Sequence, residues 1–216
     1  MKIGVLALQG AFREHEEVLG RLDIPAVEVR QPEDFHGCDG LILPGGETTT
    51  QRKLAQTYGL WEPLAELGRQ GLPILATCAG LILLAKRIDG EPDSSLALLD
   101  LDVRRNAYGR QVFSFETLLT VPCFAGASGP ADPFRAIFIR APRIVRVGQD
   151  VSVLASHEGE PVAVEQGNIL GLSFHPELTR DNRFHTYFLE VVQRHKAKQA
   201  GKTPDGEMQA AVGNHS

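Results

Sequence analysis

The sequence has few cysteines and no long hydrophobic run. Its three cysteines, Cys38, Cys78 and Cys123, are an odd number without metal-site spacing, which argues against a disulfide framework or a cysteine-bound metal. The longest uncharged apolar stretch, residues 74–85, is shorter than the roughly 20 residues that a membrane-spanning helix needs. The first residues lack the cleavage region of a signal peptide. We therefore expect a cytoplasmic protein with no membrane association and no bound metal.

Positive charge is also scarce. The 216 residues include 22 Lys and Arg against 27 Asp and Glu, for a formal net charge of −5. Nucleic-acid binding depends on clustered Lys and Arg, so this balance gives no reason to expect it. The length fits one domain, which we predict over residues 1–198. Residues 199–216 are rich in Gly, Lys and Gln, and we expect them to be a disordered tail.

Short apolar runs alternate with helical patterns in the first half of the chain. Strands that are apolar on both faces and alternate with helices are typical of a parallel sheet covered on both sides. The predicted strands are residues 2–8, 26–30, 39–43 and 72–77. The predicted helices are residues 12–22, 49–70 with a break near Gly59, and 79–87. The fold class is therefore predicted to be α/β, with a mostly parallel central sheet flanked by helices.

The second half contains short strand-like runs punctuated by Gly and Pro, as expected for hairpins. We predict antiparallel strands here, either added to the central sheet or packed beside it. A closing amphipathic helix is predicted over residues 180–198. The strand-like runs are residues 96–103, 113–121, 136–139, 151–156, 162–165 and 169–174.

Cys78 stands where a predicted strand meets a predicted helix. A nucleophile elbow needs small residues two positions before and after the nucleophile, and Ala76 and Gly80 occupy them here. The start of the following helix favours a thiolate and offers the Ala79 N–H to a developing oxyanion. Cys78 is therefore a candidate nucleophile. The alternative is a buried structural cysteine, since free cysteine is among the most buried residue types.

His175 and Glu177 follow an apolar strand near the end of the predicted domain. Residues i and i+2 of an extended chain point to the same side, so both side chains can face one site. The histidine would take a proton and the carboxylate would orient it, as in a catalytic triad. The alternative is a surface histidine beside an acid. The other histidines lack this strand-end setting and are expected at the surface or in local structure: His15, His36, His157, His185, His195 and His215.

A glycine pair, Gly45-Gly46, follows the predicted third strand. Two glycines let the backbone approach a ligand closely and turn N–H groups toward it. The following Glu47 and Thr48 are not the Lys-Ser or Lys-Thr pair of a phosphate-binding loop. The loop is therefore a candidate ligand site. The alternative is a simple strand-to-helix turn capped by Thr48.

Two segments supply arginines that could pair with a carboxylate. Residues 104–110 form a polar stretch between predicted strands and include Arg105. Ile139 and Arg140 end another predicted strand. Isolated arginines such as these are also common as solvated surface residues.

Taken in order, these segments resemble the class I, triad-type glutamine amidotransferases. Within that superfamily the chain is similar to the glutaminase subunits of pyridoxal 5′-phosphate synthases. The loop at residues 43–46, the elbow cysteine and the late His-x-Glu carry the resemblance. Thr48 stands where the family usually has Ser, and Ala76 where the superfamily usually has Gly. The matching segments are residues 4–11 with 13–15, 41–49, 77–82, 105–106 with 109–111, 138–142 and 173–179.

The resemblance implies a flavodoxin-like domain that hydrolyses L-glutamine to L-glutamate and ammonia without a cofactor or a metal. Cys78 would be the nucleophile, His175 the proton carrier and Glu177 the residue that holds the histidine. The oxyanion hole would be formed by Gly45, Gly46 and Ala79. Glutamine would be bound by Gly46, Glu47, Thr48, Arg105, Ile139 and Arg140.

The resemblance also implies a partner protein. The ammonia would pass to a separate synthase subunit, a barrel enzyme that builds pyridoxal 5′-phosphate from a pentose phosphate and a triose phosphate. Both subunits would assemble into a large hetero-oligomer. Hydrolysis without an acceptor wastes glutamine, so we expect the isolated chain to be a poor glutaminase. Partner contact near Gln9 and Gly10 would switch it on through a flip of the Gly45–Gly46 peptide.

Three alternatives remain open. A glutaminase subunit of another pathway, such as imidazole-glycerol-phosphate synthesis, fits residues 9–11 and 105–111 less well. A non-catalytic regulatory subunit on the same fold would carry a degenerate triad, whereas Cys78, His175 and Glu177 are all present. An unrelated cysteine hydrolase would have no special use for the glycine loop. Incubation with glutamine, with and without a synthase subunit, would separate these alternatives.

Overall fold

The computed structural model describes residues 1–90, 95–105, 114–125 and 132–201. These residues form five α-helices and twelve strands, with short 3₁₀ helices at Pro32–Phe35, Pro122–Phe124 and Pro176–Leu178. The helices are α1 (Phe12–Arg21), α2 (Thr48–Thr57), α3 (Trp61–Arg69), α4 (Ala79–Leu84) and α5 (Arg183–Ala200). The strands are β1 (Ile3–Leu6), β2 (Ala26–Val29), β3 (Gly40–Leu43), β4 (Ile74–Thr77), β5 (Ala85–Ile88), β6 (Leu99–Arg104), β7 (Ser114–Leu119), β8 (Phe134–Ile139), β9 (Arg143–Val147), β10 (Ser152–His157), β11 (Glu160–Gln166) and β12 (Ile169–Leu172).

A central sheet of seven strands has the order β10-β11-β12-β4-β3-β1-β2. The five strands from β2 to β12 run parallel, whereas β11 and β10 continue the sheet antiparallel. The parallel part has the order of a flavodoxin-like sheet, in which ligands bind outside the carboxyl ends of the strands. This arrangement confirms the predicted α/β fold with a mostly parallel sheet and added antiparallel strands.

Four of the five parallel strands, β1, β3, β4 and β12, are buried on both faces, as their unbroken apolar sequences indicated, whereas the edge strand β2 is only partly buried. Helices α1 and α5 and the β7–β8 hairpin cover one face, where Phe134, Phe138, Phe184 and Phe188 are fully buried. Helices α2, α3 and α4 and the three-stranded β5-β6-β9 sheet cover the other face. Both predicted positions for the later strands therefore occur, within the central sheet and beside it.

One predicted helix is wrong over its last three residues. The helix expected over residues 79–87 ends at Leu84, and Ala85 takes an extended backbone with φ −62° and ψ 150°. Residues from Ala85 onward form β5 because they pair with β6, whose Val103 lies opposite Ile88. Tertiary pairing here overrides the helical propensity of the sequence. Strand β9, which pairs with β6 on its other side, is absent from the predicted strands.

Other boundaries agree closely with the sequence. The predicted break near Gly59 separates α2 from α3, and Gly59 has φ +70°. The closing helix α5 starts three residues later than predicted and continues two residues beyond Lys198. Residues 202–216, most of the predicted tail, lie outside the described residues, so its disorder stays a prediction. Within the described ranges, no helix combines the length and apolar character needed to cross a membrane.

Candidate active site

Four neighbouring strands bring the predicted triad, the glycine loop and the Gln9-Gly10 segment to one edge of the central sheet. The glycine loop follows β3, Cys78 follows β4, and His175 comes three residues after β12. Gln9 and Gly10 follow β1 on the far side of β3. Because these strands are parallel, their carboxyl ends meet at this edge, where ligands bind in open α/β sheets.

Cys78 occupies a strained turn between β4 and α4. Its φ of +47° and ψ of −102° are unusual for a residue with a side chain. The Cys78 N–H donates to the Leu172 carbonyl at 2.8 Å, which anchors the turn to β12. A Cβ on Gly80 would lie 2.1 Å from the Leu43 carbonyl oxygen, so only glycine fits there. The sharp turn between small residues has the geometry of the predicted nucleophile elbow.

His175 and Glu177 form a tight buried pair beside the elbow. The distance between His175 Nδ1 and Glu177 Oε1 is 2.7 Å, and both residues are buried. The His175 N–H donates to the Ile137 carbonyl at 2.9 Å, so β8 fixes the backbone that carries the histidine. The two side chains thus meet, but through the short 3₁₀ helix at Pro176–Leu178 and not through the extended chain on which the prediction rested.

The charged form of His175 is strongly favoured. Burial opposes the imidazolium, but hydrogen bonds to Cys78 and Glu177 and the charge of Glu177 outweigh it and raise the pKa of His175 to about 10. Burial likewise opposes the Glu177 carboxylate, but His15 and His175 outweigh it and lower the pKa of Glu177. The triad thus holds a proton on His175, between a sulfur and a carboxylate.

The glycine loop packs directly on the triad. A Cβ on Gly45 would lie 2.3 Å from the His175 Cε1 and 3.3 Å from the Cys78 Cβ, so the loop requires glycine here. The Gly45 N–H donates to Thr77 Oγ1 at 3.0 Å, and the Gly45 carbonyl accepts from the Ala11 N–H at 3.0 Å. The N–H of Gly45 is therefore engaged by Thr77 in this conformation rather than offered to an oxyanion.

Glu47, not Thr48, caps helix α2. Its carboxylate accepts hydrogen bonds from the N–H groups of Thr49 and Thr50 and from the Thr50 hydroxyl. The bond from the Thr50 hydroxyl is the largest cause that lowers the pKa of Glu47 to about 2. The Glu47 N–H donates to Gln9 Oε1 at 2.8 Å. The carboxylate is thus committed to the helix end, which the sequence reasoning missed.

A cleft of about 1010 Å³ opens over Cys78. Every predicted site residue except Glu177 lines it; Glu177 lies behind His175 with its side chain fully buried. Three of the predicted residues in its wall come from outside the central sheet: Arg105, Ile139 and Arg140. The Ile139 carbonyl accepts from Cys78 Sγ at 3.7 Å, and Arg140 has φ +46°.

Asp89 lines the same cleft and was not predicted. The Arg105 Nε donates to Asp89 Oδ2 at 2.7 Å, and the Arg105 N–H donates to Asp89 Oδ1 at 2.9 Å. Partial burial opposes the Asp89 carboxylate, but these bonds outweigh it and lower the pKa of Asp89. The Asp89-Gly90 dipeptide indicates only a turn in sequence, so nothing there pointed to the site. Residues 106–111 of the matching polar segment lie outside the described residues.

Two histidines expected at the surface or in local structure are fully buried. His15 on α1 and His185 on α5 have no exposed surface, and their rings contact each other. A signal was present, because His15 shares its helix face with Val18 and Leu19 at i+3 and i+4. Among the described residues, no group of three His, Cys, Asp or Glu side chains is arranged to hold a metal ion.

Proteins of a known family are similar to this chain in both sequence and fold. The pyridoxal 5′-phosphate synthase subunit PdxT of Thermotoga neapolitana is 54% identical over 193 residues, which cover 89% of this chain and all of that protein. The subunit of the same name from Bacillus velezensis is 49% identical over 200 residues, covering 93% and 99%. A crystal structure described as a glutamine amidotransferase superposes with a TM-score of 0.82 at 49% identity, covering 88% of this chain and 98% of that one.

A more distant structure shares the fold alone. The PurLQS structure from Thermotoga maritima aligns with a TM-score of 0.64 at 17% identity, covering 90% of this chain and 98% of that one. The sequence profile of the SNO glutamine amidotransferase family matches residues 5–194, nearly all of the described chain. The elbow cysteine, the His-Glu pair and this match lead to one conclusion: the chain belongs to the SNO glutamine amidotransferase family.

Proposed function

We propose that this chain is the glutaminase subunit of a pyridoxal 5′-phosphate synthase, hydrolysing L-glutamine and passing the ammonia to a synthase partner. The observation that carries the proposal is the buried His175–Glu177 pair of 2.7 Å beside a cysteine in a strained elbow. Relatives at 49–54% identity that bear this subunit name support the same assignment.

In the proposed reaction, His175 first takes the proton of the Cys78 thiol, and the resulting thiolate sulfur attacks the side-chain amide carbon of glutamine. The carbonyl oxygen becomes an oxyanion, and the proton on His175 passes to the departing nitrogen, so that ammonia leaves and a glutamyl thioester remains. His175 then accepts a proton from the attacking water, the C–S bond breaks, and glutamate is released. Glu177 keeps the imidazole oriented throughout and stabilises its charged form.

The developing oxyanion needs backbone donors. We assign this role to the Ala79 N–H at the first residue of α4 and to the glycine loop. Since Thr77 engages the Gly45 N–H, the donor that the loop supplies is Gly46. The Gly45 carbonyl points toward Ala11, and in a trans peptide the Gly46 N–H points the opposite way.

Glutamine itself would lie in the cleft with its amide over Cys78. We assign its α-carboxylate to Arg105 and Arg140, because bidentate guanidinium groups suit carboxylates. The backbones of Gly46, Glu47 and Ile139 and the Thr48 hydroxyl complete the proposed contacts, and all four residues line the cleft. The Glu47 carboxylate is excluded from this set because it caps α2.

The proposed partner is a barrel-shaped synthase subunit in a large hetero-oligomer, and we place both in the cytoplasm, in keeping with three unpaired cysteines. Gln9, Gly10 and Ala11 supply a route for its control. The Ala11 N–H donates to the Gly45 carbonyl, and the Gln9 side chain accepts from the Glu47 N–H. A partner that moves this segment would therefore also move the glycine loop, Gly45-Gly46, which we call the oxyanion loop. A flip of the Gly45–Gly46 peptide must break the bond from Ala11.

The test is glutamate release by the purified chain, alone and titrated with a purified synthase subunit. We expect a low rate for the chain alone and a rise of roughly 10²–10³-fold on adding the partner, which is the effect of gaining one oxyanion donor. The Cys78→Ala variant should stay inactive in both conditions. Full activity without partner would refute the switching but not the triad; no glutamate release in any condition would refute the function.

A further inference from the structure

A buried polar chain reaches the triad from behind, and its two histidines have no part in the reaction as described above. It runs from His185 through His15 to Thr77 and Glu177 and joins helices α5 and α1 to the end of β4. His15 Nδ1 lies 2.9 Å from His185 Nε2. His15 Nε2 lies 3.2 Å from Thr77 Oγ1 and 3.4 Å from Glu177 Oε2. One imidazole thus touches both the acid of the triad and the residue before the nucleophile.

The contacts of His15 reach both halves of the site. Thr77 Oγ1, which His15 meets on one side, accepts the Gly45 N–H and so holds the oxyanion loop. Glu177 Oε1 is bonded to His175, whereas its buried Oε2 has no hydrogen-bond partner among the described residues. The contact of 3.4 Å from His15 is therefore the electrostatic support available to that oxygen.

The surroundings select one tautomer of His15. Within the described chain, His185 Nδ1 is buried and has no hydrogen-bond partner. Placing a proton there would bury an unpaired N–H, which is rare and costly. The His185 proton therefore lies on Nε2 and is donated to His15 Nδ1. His15 must then carry its own proton on Nε2, which lies within hydrogen-bond distance of Thr77 Oγ1 and in electrostatic contact with Glu177 Oε2.

The other tautomer of His15, with its proton on Nδ1, is unfavourable for two reasons. A proton on His15 Nδ1 would leave the Nε2 lone pair, the negative end of the imidazole dipole, facing the negatively charged Glu177 carboxylate, and the two would repel each other. It would also force the His185 proton onto the unpaired Nδ1. Burial disfavours a second proton and is the largest cause that lowers the pKa of His15. His15 is thus neutral, with its single proton directed at the triad.

We propose that His15 is a positioning residue of this glutaminase, holding Glu177 and Thr77 in place through its Nε2–H. The proposal rests on the proposed function. By fixing Glu177, His15 fixes the orientation of His175; by fixing Thr77, it fixes Gly45. His15 does not line the cleft, so it acts on the reacting groups through others and not on the substrate.

Two substitutions at one position test the proposal. The side-chain nitrogen of His15→Gln reaches the place of the imidazole Nε2, whereas that of His15→Asn reaches only the place of Nδ1. We expect His15→Asn to lower kcat roughly 10- to 100-fold, the usual cost of losing the partner behind a functional histidine, with KM for glutamine unchanged. His15→Gln should retain kcat within about threefold of the parent chain. Both are assayed with the synthase partner present.

Stability measured on the same variants separates positioning from packing. Both substitutions remove the imidazole ring, so both should lower the melting temperature by similar amounts. If both variants lost kcat to the same extent, in step with their melting temperatures, His15 would have only a structural role and the proposal would be overturned. Full kcat of His15→Asn would overturn it as well.

A second readout does not depend on activity. Nitrogen NMR of the parent chain labelled with ¹⁵N-histidine distinguishes a protonated ring nitrogen from a bare one. We expect His15 to be neutral and protonated on Nε2 at pH 7, and His185 likewise. Protonation of His15 on Nδ1 would overturn the proposal even if the variants failed to fold. A parent chain inactive with glutamine and partner would refute the glutaminase function, while the spectrum would still decide the arrangement of His15.

Discussion

At the scale of the residue, Cys78 is held in a backbone conformation that lowers the stability of the fold. A non-glycine residue at φ +47° is strained by roughly 1–3 kcal/mol, which persists only where the surroundings enforce it. Strands β3 and β12 on either side and the requirement for Gly80 enforce it here. The strain presents the sulfur at the cleft, where the proposed nucleophile must stand.

Replacing Cys78 separates this strain from the chemistry. Cys78→Ala and Cys78→Gly should both abolish glutaminase activity while the fold survives. Cys78→Gly should be the more stable of the two by about 1 kcal/mol, because glycine adopts this turn freely and loses only part of that gain to its unfolded-state entropy. Denaturant unfolding of both proteins measures the difference. A more stable alanine variant would mean that the turn is not strained.

The roles within the triad predict unequal losses. His175→Asn should reduce glutamate release nearly as much as loss of Cys78, because residues that act as one unit lose function together. Glu177→Gln should be milder, since its amide oxygen can still accept from His175 Nδ1. Steady-state rates with partner present provide the comparison. A harmless Glu177→Gln would show that another group orients His175.

The raised pKa of His175 predicts a pH-dependent contribution to stability. With a folded pKa of about 10 against an ordinary 6.5, the charged His175 stabilises the native state fully below the ordinary value, and this contribution is lost as the pH rises through about 10. Glu177, whose pKa is lowered from 4.5, stays ionised over this range.

The measurement is the free energy of unfolding of the parent chain minus that of His175→Asn, from about pH 6 to above about pH 10. We expect the difference to decrease as the pH rises. A difference that stays constant, or that grows with pH, would show that His175 is not held protonated by Glu177 and Cys78.

At the scale of the element, two loops from neighbouring strands are interlocked. The segment after β1 contributes the Ala11 N–H to the Gly45 carbonyl, and a Cβ on Gly10 would lie 1.9 Å from that oxygen. Gly10 also has φ +102°, a conformation that disfavours any side chain. The position of the oxyanion loop therefore depends on a glycine that lies outside it.

Two glycine substitutions test this interlock. Gly10→Ala should displace the loop and lower glutaminase activity, measured with the synthase partner present, on the order of 10²-fold, because a displaced loop cannot present its oxyanion donor after the flip. Gly20→Ala is the matched control, because an exposed Cβ on α1 meets nothing within 4 Å and alanine favours the helix. It should keep full activity and gain up to about 1 kcal/mol of stability. Equal activity of the two variants would contradict the interlock.

The elements also show where sequence reasoning stops. The parallel strands were predictable because their unbroken apolar runs are visible without knowledge of their neighbours. Strand β5 was not, because Ala85 and Ile88 become a strand only through pairing with β6. The same holds for the site: the elbow and the His-x-Glu pair are local patterns, whereas the Asp89–Arg105 pair and the contact from His15 to Glu177 arise from long-range packing.

At the scale of the whole molecule, the central sheet places the catalytic groups and the partner segment at one edge. The triad, the oxyanion loop and the segment assigned to the partner follow β4, β12, β3 and β1, which are neighbours in the sheet. A partner that binds at Gln9 and Gly10 would thus lie beside the site where ammonia is released. This placement predicts that ammonia passes directly between the proteins without equilibrating with solvent.

Isotope transfer tests that central claim most directly. The chain is mixed with a synthase subunit, its pentose and triose phosphates, amide-¹⁵N glutamine and an excess of unlabelled ammonium, and the pyridoxal 5′-phosphate formed is analysed by mass spectrometry. We predict a product enriched in ¹⁵N despite the excess ammonium, and loss of that enrichment with Cys78→Ala. Unlabelled product from the parent chain, or equal labelling with Cys78→Ala, would contradict the proposed function.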